Sequence, residues 1–241
     1  MYDLQESAYI SLARQVGLSR ELGNIANNIA NVSTVGFRTE KVIFAERIHR
    51  DQRPFPAVSI AHVHGRAISN APGQLEKTDG LFDLAIDGNG YFLVSTPNGN
   101  ALTRAGHFLP NQDGELVMAD GAQLLDITGA GILVPREFTG VAVASDGTLS
   151  IDGQPIAQIG VWRPREGTHL PRAAGARFFP ENGVELEDSG RLLQGFLENS
   201  NVNPILEIAR LIEVQHAYTQ GQNLLEREDE RIRNVIRTLG R

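Results

Sequence analysis

The sequence predicts an α+β protein: long N- and C-terminal helices pairing as a coiled-coil-like arm, with an antiparallel β-rich middle domain between them. Three observations predict it. Apolar residues recur at three- and four-residue spacing near both ends; Asp-Gly and Asn-Gly pairs punctuate the middle; and no strand–helix–strand alternation appears. The expected division is a terminal helical assembly domain (1–40 with 200–241), an extended connector (41–78 with 185–199) and a β-rich outer domain (79–184).

The first helix is predicted over residues 1–31. Leu18, Leu22, Ile25 and Ile29 form its apolar stripe. Running the frame backwards gives Gln15, Ser11, Ala8 and Leu4, so the stripe weakens toward the start. The helix also holds Asn24, Asn27, Asn28 and Asn31. Each Asn costs about 0.5–0.7 kcal/mol against Ala in a helix interior, so together they cost about 2–3 kcal/mol. They fall on one face at steps of three and four, beside the isoleucines. Carboxamides donate and accept, so such a ladder is expected to bond to the backbone and side chains of packed helices and fix register. Val32-Ser33-Thr34-Val35-Gly36 then ends the helix, with a glycine able to take positive φ.

From about residue 40 the texture changes. Asp79-Gly80, Asp87-Gly88, Asn98-Gly99, Asp113-Gly114, Asp120-Gly121, Asp146-Gly147, Asp152-Gly153 and Asn182-Gly183 separate short runs such as LAIDGNGYFLVS, GVAVAS and IAQIGVW. Short strands joined by such turns mean antiparallel sheet.

The second helix opens at Asn203, a good N-cap, with Pro204 at the first helical position and Glu207 near the positive end. Leu211, Val214, Tyr218, Gly221, Leu225, Glu228, Ile232, Val235 and Leu239 repeat at 3-4-3-4 spacing, broken only by Gly221 and Glu228. Such a helix runs about 35 residues, or roughly 50 Å. A lone helix with a narrow stripe is marginal in water, so both helices need each other, other copies or a partner.

Composition narrows the function. The chain has 241 residues, a net charge of −7 and no cysteine, so disulfides, thiolate metal sites and a Cys nucleophile are ruled out. Residues 51–199 carry ten basic and eighteen acidic groups, while both ends are near neutral. No basic stripe suggests nucleic acid, and no apolar run suggests membrane insertion. The N-terminus has no positive region followed by an apolar run, so no cleaved signal peptide is expected.

Candidate chemistry is thin. His62-Val63-His64 has a metal-binding spacing, but His49, His107, His169 and His216 lie in separate segments and no further ligands are evident. Gly88-Asn89-Gly90 lacks the Lys-Ser/Thr of a phosphate loop and reads as a turn. The mixed charges of Glu226–Arg231 fit a solvated face or a contact with neighbouring subunits equally well. No catalytic, metal or cofactor residue is assigned. A hydrolase acting on peptidoglycan would need paired, pKa-shifted carboxylates in the β middle. A carbohydrate-binding module would need clustered exposed aromatics, and the middle has one Trp, Trp162.

Three motifs are distinctive. ANNIANVSTVGFR, beginning at Ala26, resembles the N-terminal signature of the flagellar rod and hook family. DLAIDGNGYFLVS (83–95), with TRAGHF (103–108) and DGELV (113–117), resembles its central strand motif. GFLENSNVNPILEIARLIEVQHAY (195–218) resembles its C-terminal signature. The short connection from Phe44 to GQLEKTDGLFDLAI is similar to proximal rather than distal rod members. The chain departs from the family's Gln-Arg-x-Tyr-x-x-Asn, with Gln215-His216-Ala217-Tyr218-Thr219-Gln220-Gly221. Gly221 is a position at which the last helix could weaken or bend, and the sequence leaves open whether it kinks there.

The resemblance implies a structural rod subunit, exported by the flagellar type III apparatus without a cleaved signal peptide. Its partners would be other copies of itself, other flagellar rod proteins and the export apparatus. It would polymerise across the periplasm through its terminal helices and use no cofactor. The assembly interface is then expected at Leu22, Ile25, Asn27, Asn28, Ile29, Asn31, Gly36 and Phe37 from the first helix and its exit. Asn201, Asn203, Leu211, Val214, Gln215, Tyr218 and Leu225 would serve from the second.

Overall fold

The computed structural model describes residues 2–49, 58–167, 170–173, 176–187 and 189–239. The protein is α+β, with two long helices and a β-rich middle. It divides into two compact units: residues 1–30, 39–69 and 202–241 form one, and residues 31–38 with 70–201 form the other.

The first unit holds helix α1 (Tyr2–Ala30), a hairpin of strands β1 (Glu40–His49) and β2 (Val58–Ile68), and helix α2 (Pro204–Leu239). Of the stretch expected as connector, residues 41–49 and 58–68 lie in the strands of this hairpin. Its strands are antiparallel, from Glu40 opposite Ile68 to His49 opposite Val58, with a register shift between Ile43 and Phe44. α2 starts at the expected cap: the Asn203 side-chain oxygen accepts from the backbone N–H groups of Ile205 (3.1 Å) and Leu206 (3.2 Å). It then runs without interruption through Gly221. A Cβ on Gly221 would lie 2.1 Å from the Gln15 side-chain nitrogen. That glycine makes room for a side chain of α1 and does not break the helix.

The second unit is built on strands β3 (Leu75–Lys77), β4 (Leu84–Asp87), β5 (Phe92–Thr96) and β6 (Gly99–Thr103), followed by a series of short strands. β5 and β6 pair across the Asn98-Gly99 turn and form the middle of a seven-stranded antiparallel sheet. β4 pairs with Arg191–Gln194, and β3 with Phe196–Glu198, so the chain returns to the start of the unit before leaving it. β4 is buried at Leu84, Ala85 and Ile86 in succession. Burial on both faces explains why its sequence is a continuous apolar run.

The core gathers Leu84, Ile86, Phe92, Val94, Phe108, Leu116, Leu124, Ile132, Leu149 and Ile159 with their neighbours. Phe92 and Phe108 meet edge to face, centroids 5.5 Å apart. Burying each such side chain stabilises the unit by about 1.5–3 kcal/mol.

Candidate functional site

In the first unit side-chain contacts from Gln15, Glu21 and Asn28 join α1 to α2. The Gln15 amide donates to the Tyr218 carbonyl (2.9 Å); Arg210 places Nε (2.9 Å) and an Nη (2.6 Å) on one Glu21 oxygen; and the Asn28 amide reaches Glu207 at 3.3 Å. Partner numbers on α2 fall as those on α1 rise, so the helices run antiparallel.

The α2 stripe faces inward over most of its length: Val214 is buried, and Leu211, Tyr218, Gly221, Leu225 and Glu228 are half-buried. Ile232 (41%) and Val235 (52%) are exposed. On α1, Gln15 and Ile25 are buried, and Ser11, Leu18, Leu22 and Ile29 half-buried.

The asparagines divide. Asn24 and Asn28 are buried, Asn31 is half-buried and Asn27 is exposed. Asn28 donates to the Glu40 carbonyl (2.9 Å) and accepts from the Glu40 N–H (3.1 Å). Its carboxamide thereby pairs with the first residue of β1 as another strand would. This buried site stays satisfied, so the helix-propensity cost is offset inside one chain.

In the second unit the three sequence motifs converge on a buried ionic cluster. Glu198, 1% exposed, receives Arg38 at 2.8 Å on one oxygen and Arg104 at 3.1 Å on the other. Its first oxygen also accepts from the Gly73 N–H (2.9 Å). Arg104 donates to the carbonyls of Ile86 (2.9 Å) and Gly88 (2.6 Å), which ties down the Gly88-Asn89-Gly90 turn. Arg38 donates to the carbonyls of Asn70 and Ala71.

Burial lowers the Arg104 pKa from its usual high value, and Glu198 opposes the shift. Gly36 takes φ +68°, donates its N–H to the Glu198 carbonyl (2.7 Å), and a Cβ there would sit 2.2 Å from the Ala105 nitrogen. Only glycine fits both the conformation and the approach. Phe37, 2% exposed, lies under the Arg172 guanidinium at 4.0 Å, and its carbonyl accepts from the Asn201 N–H.

The expected interface residues therefore fall in two places. Leu22, Ile25, Asn28, Ile29, Leu211, Val214, Tyr218 and Leu225 lie in the helical unit with inward-facing surface, whereas Asn27, Asn203 and Gln215 are exposed there. Asn31, Gly36, Phe37 and Asn201 belong to the β-rich unit, and Asn201 donates to the Ala71 carbonyl. The ionic cluster was missed because its members lie 66 and 94 residues apart along the chain. The available signal was that GFR, TRAG and LENSN each carry one charge, of complementary sign.

A cleft of about 270 Å³ in the β-rich unit is lined by Asp146 and Glu187 with Ser145, Gln158 and several apolar residues. The Thr148 N–H and hydroxyl hold Asp146 below the usual carboxylate range, and the Ser189 hydroxyl and N–H hold Glu187 there too. Asp126 and Asp152 shift the same way, so no resolved carboxylate is raised toward a general acid. Among the described residues, no group of three or more His, Asp or Glu could hold a metal ion. The imidazoles of His49, His62 and His64 lie outside the described side chains, and His169 lies outside the described residues. Among the described residues, no helix is long and apolar enough to cross a membrane.

Two family models match the chain: the flagellar hook protein FlgE/F/G D1 domain at residues 85–151, and the flagellar basal body rod FlgEFG protein C-terminal region at residues 193–238. Flagellar basal-body rod protein FlgF of Mesorhizobium japonicum is 35% identical, over 98% of this chain and 99% of its own length. FlgF of Caulobacter vibrioides is 32% identical, over 99% of each chain. Flagellar basal-body rod protein FlgG of Bacillus subtilis is 29% identical, over 95% and 97%. With the full-length likeness, the motif cluster and the paired terminal helices in agreement, the chain belongs to the flagellar basal-body rod protein family.

Proposed function

We propose that this chain is a non-catalytic subunit of the flagellar basal-body rod, polymerising through its terminal helices into the axial structure that transmits torque. One observation carries the reading. The helical unit leaves large apolar side chains in water: Ile205 (77%), Leu206 (65%), Ile208 (48%) and Ile212 (51%) line the outward face of α2. That surface, on a helix far longer than its own unit needs, suits packing against neighbouring subunits. In this reading α1 and α2 form a coiled-coil-like arm, residues 1–40 with 200–241 serve assembly, and the β-rich middle faces outward. Asn27, Asn203 and Gln215 touch neighbours, and the inward-facing interface residues shape the arm that does so.

The partners are other copies of this chain, other rod proteins and the flagellar export apparatus. The site of action in this reading is the rod crossing the periplasm. Higher identity to the FlgF relatives than to FlgG supports the proximal position. The test is deletion of the gene, with isolation of basal bodies from cells expressing a tagged chain. Non-motile deletion cells, and the tagged chain recovered in rods, are the expected result. Normal swimming after deletion, with no tagged chain in basal bodies, overturns the proposal.

A further inference from the structure

The cleft of about 270 Å³ in the β-rich unit has an apolar floor and an acidic rim. Ile159, Val161 and Leu192, all buried, line it together with Asp146 and Glu187. Glu187 is the unusual member. Its side chain is 13% exposed, and one of its oxygens takes both the Ser189 N–H and the Ser189 hydroxyl. The other oxygen meets the Arg163 guanidinium at 3.8 Å, which is beyond hydrogen-bond length. Arg163 itself is held by Glu185 at 2.8 Å. A largely desolvated carboxylate oxygen without a close donor among the described residues needs an explanation, and a cation supplied from outside gives one. Asp146, held below the usual carboxylate range by the Thr148 N–H and hydroxyl, adds a second fixed negative charge.

We infer that this cleft receives an arginine side chain presented by a partner protein. Its volume lies just below the roughly 300–1,000 Å³ of small-molecule sites and suits one long side chain, the usual anchor of a protein contact. The apolar floor suits the methylene stem. A weakly hydrated guanidinium with five donors can reach two separate carboxylates, which a compact ammonium does less well. A second copy is a poor source, because residues 51–199 carry eighteen acidic and ten basic groups and repel their own kind. The inference goes beyond the rod reading and does not depend on it.

The test is titration of the full chain with acetyl-Gly-Arg-Gly-amide, followed by the fluorescence and the indole N–H resonance of Trp162. A Cβ on Gly160 would lie 2.5 Å from the indole nitrogen and 3.3 Å from the Cα of Ile127, which lines the cleft, so the indole sits at its wall. That N–H is buried and makes no hydrogen bond among the described residues, which leaves its resonance free to report a change nearby.

Saturable binding on the order of millimolar is expected for a single side chain. The citrulline peptide, of the same shape without the charge, and Glu187→Gln should each weaken it about tenfold or more. Arg163→Gln should tighten it severalfold, because the competing internal cation is gone, and a misfolded variant could not do that. Sedimentation of the chain should be the same with and without Glu187→Gln.

The inference is overturned if the arginine peptide gives no saturable shift, if citrulline or lysine peptide binds as tightly, or if Glu187→Gln leaves the affinity unchanged. It is also overturned if Arg163→Gln weakens binding, or if free agmatine binds where the peptide does not. A loss of self-association in Glu187→Gln would make the occupant a second copy, and overturns it too.

Discussion

The two units solve the same problem in opposite ways. The β-rich unit buries Leu84, Phe92, Phe108, Leu124 and Leu149 to 1% exposure or less, closing a core that needs nothing outside itself. In the helical unit Ile25, Val202 and Val214 are the buried apolar side chains among those described, while Ile205 and Leu206 stand in water. The helices are held to each other by polar contacts from Gln15, Glu21 and Asn28, with a thin apolar seam. A unit that relies on an amphipathic face and a few bridges is stabilised in proportion to what covers it. The difference teaches that one region buries its large apolar side chains within the chain, whereas the other leaves several of them in water.

The comparison can be broken most strongly at Glu198. Glu198→Ala leaves Arg38 and Arg104 buried without a counter-charge, and should cost about 3–5 kcal/mol. Urea unfolding followed by Trp162 fluorescence should show it, because that single Trp lies in the β-rich unit. An unchanged midpoint would mean that the cluster contributes no net stability.

Asn28→Ala tests the other side. It leaves the Glu40 N–H and carbonyl without their side-chain partner, and should cost about 1–3 kcal/mol. The loss should register in the helical far-ultraviolet dichroism, with the Trp162 transition in place. Equal movement of both signals would merge the two units into one cooperative block.

The smallest effect is expected from acid. The depressed carboxylates Asp126, Asp146, Asp152 and Glu187 all lie in the β-rich unit. A depressed folded-state pKa contributes stability above the unfolded value, about 4, and that contribution is lost as pH falls through the folded value. The Trp162 midpoint should therefore fall slightly between about pH 5 and pH 2. A midpoint that rises on acidification would contradict this.

Much was written in local pattern. The 3-4 spacing of Leu211, Val214, Tyr218 and Leu225 marks the inward face of α2, and Asn203 marks its start, because helix periodicity and capping depend on residues a few places apart. The Asn98-Gly99 turn likewise sits where β5 meets β6. What the sequence did not reveal is that the missing Cβ of Gly221 leaves room for Gln15, since only the packed partner shows it.

The sequence by itself determined the two terminal helices, the β-rich middle and, through three ordered motifs, the family, whereas the hairpin of β1 and β2 was legible only in the structure. Tertiary structure alone decided that Asn28 closes onto Glu40, and that Arg38, Arg104 and Glu198 meet in one dry cluster. Those choices join residues far apart in the chain. Their stability comes from desolvation and mutual charge compensation, which exist only once the chain has brought them together.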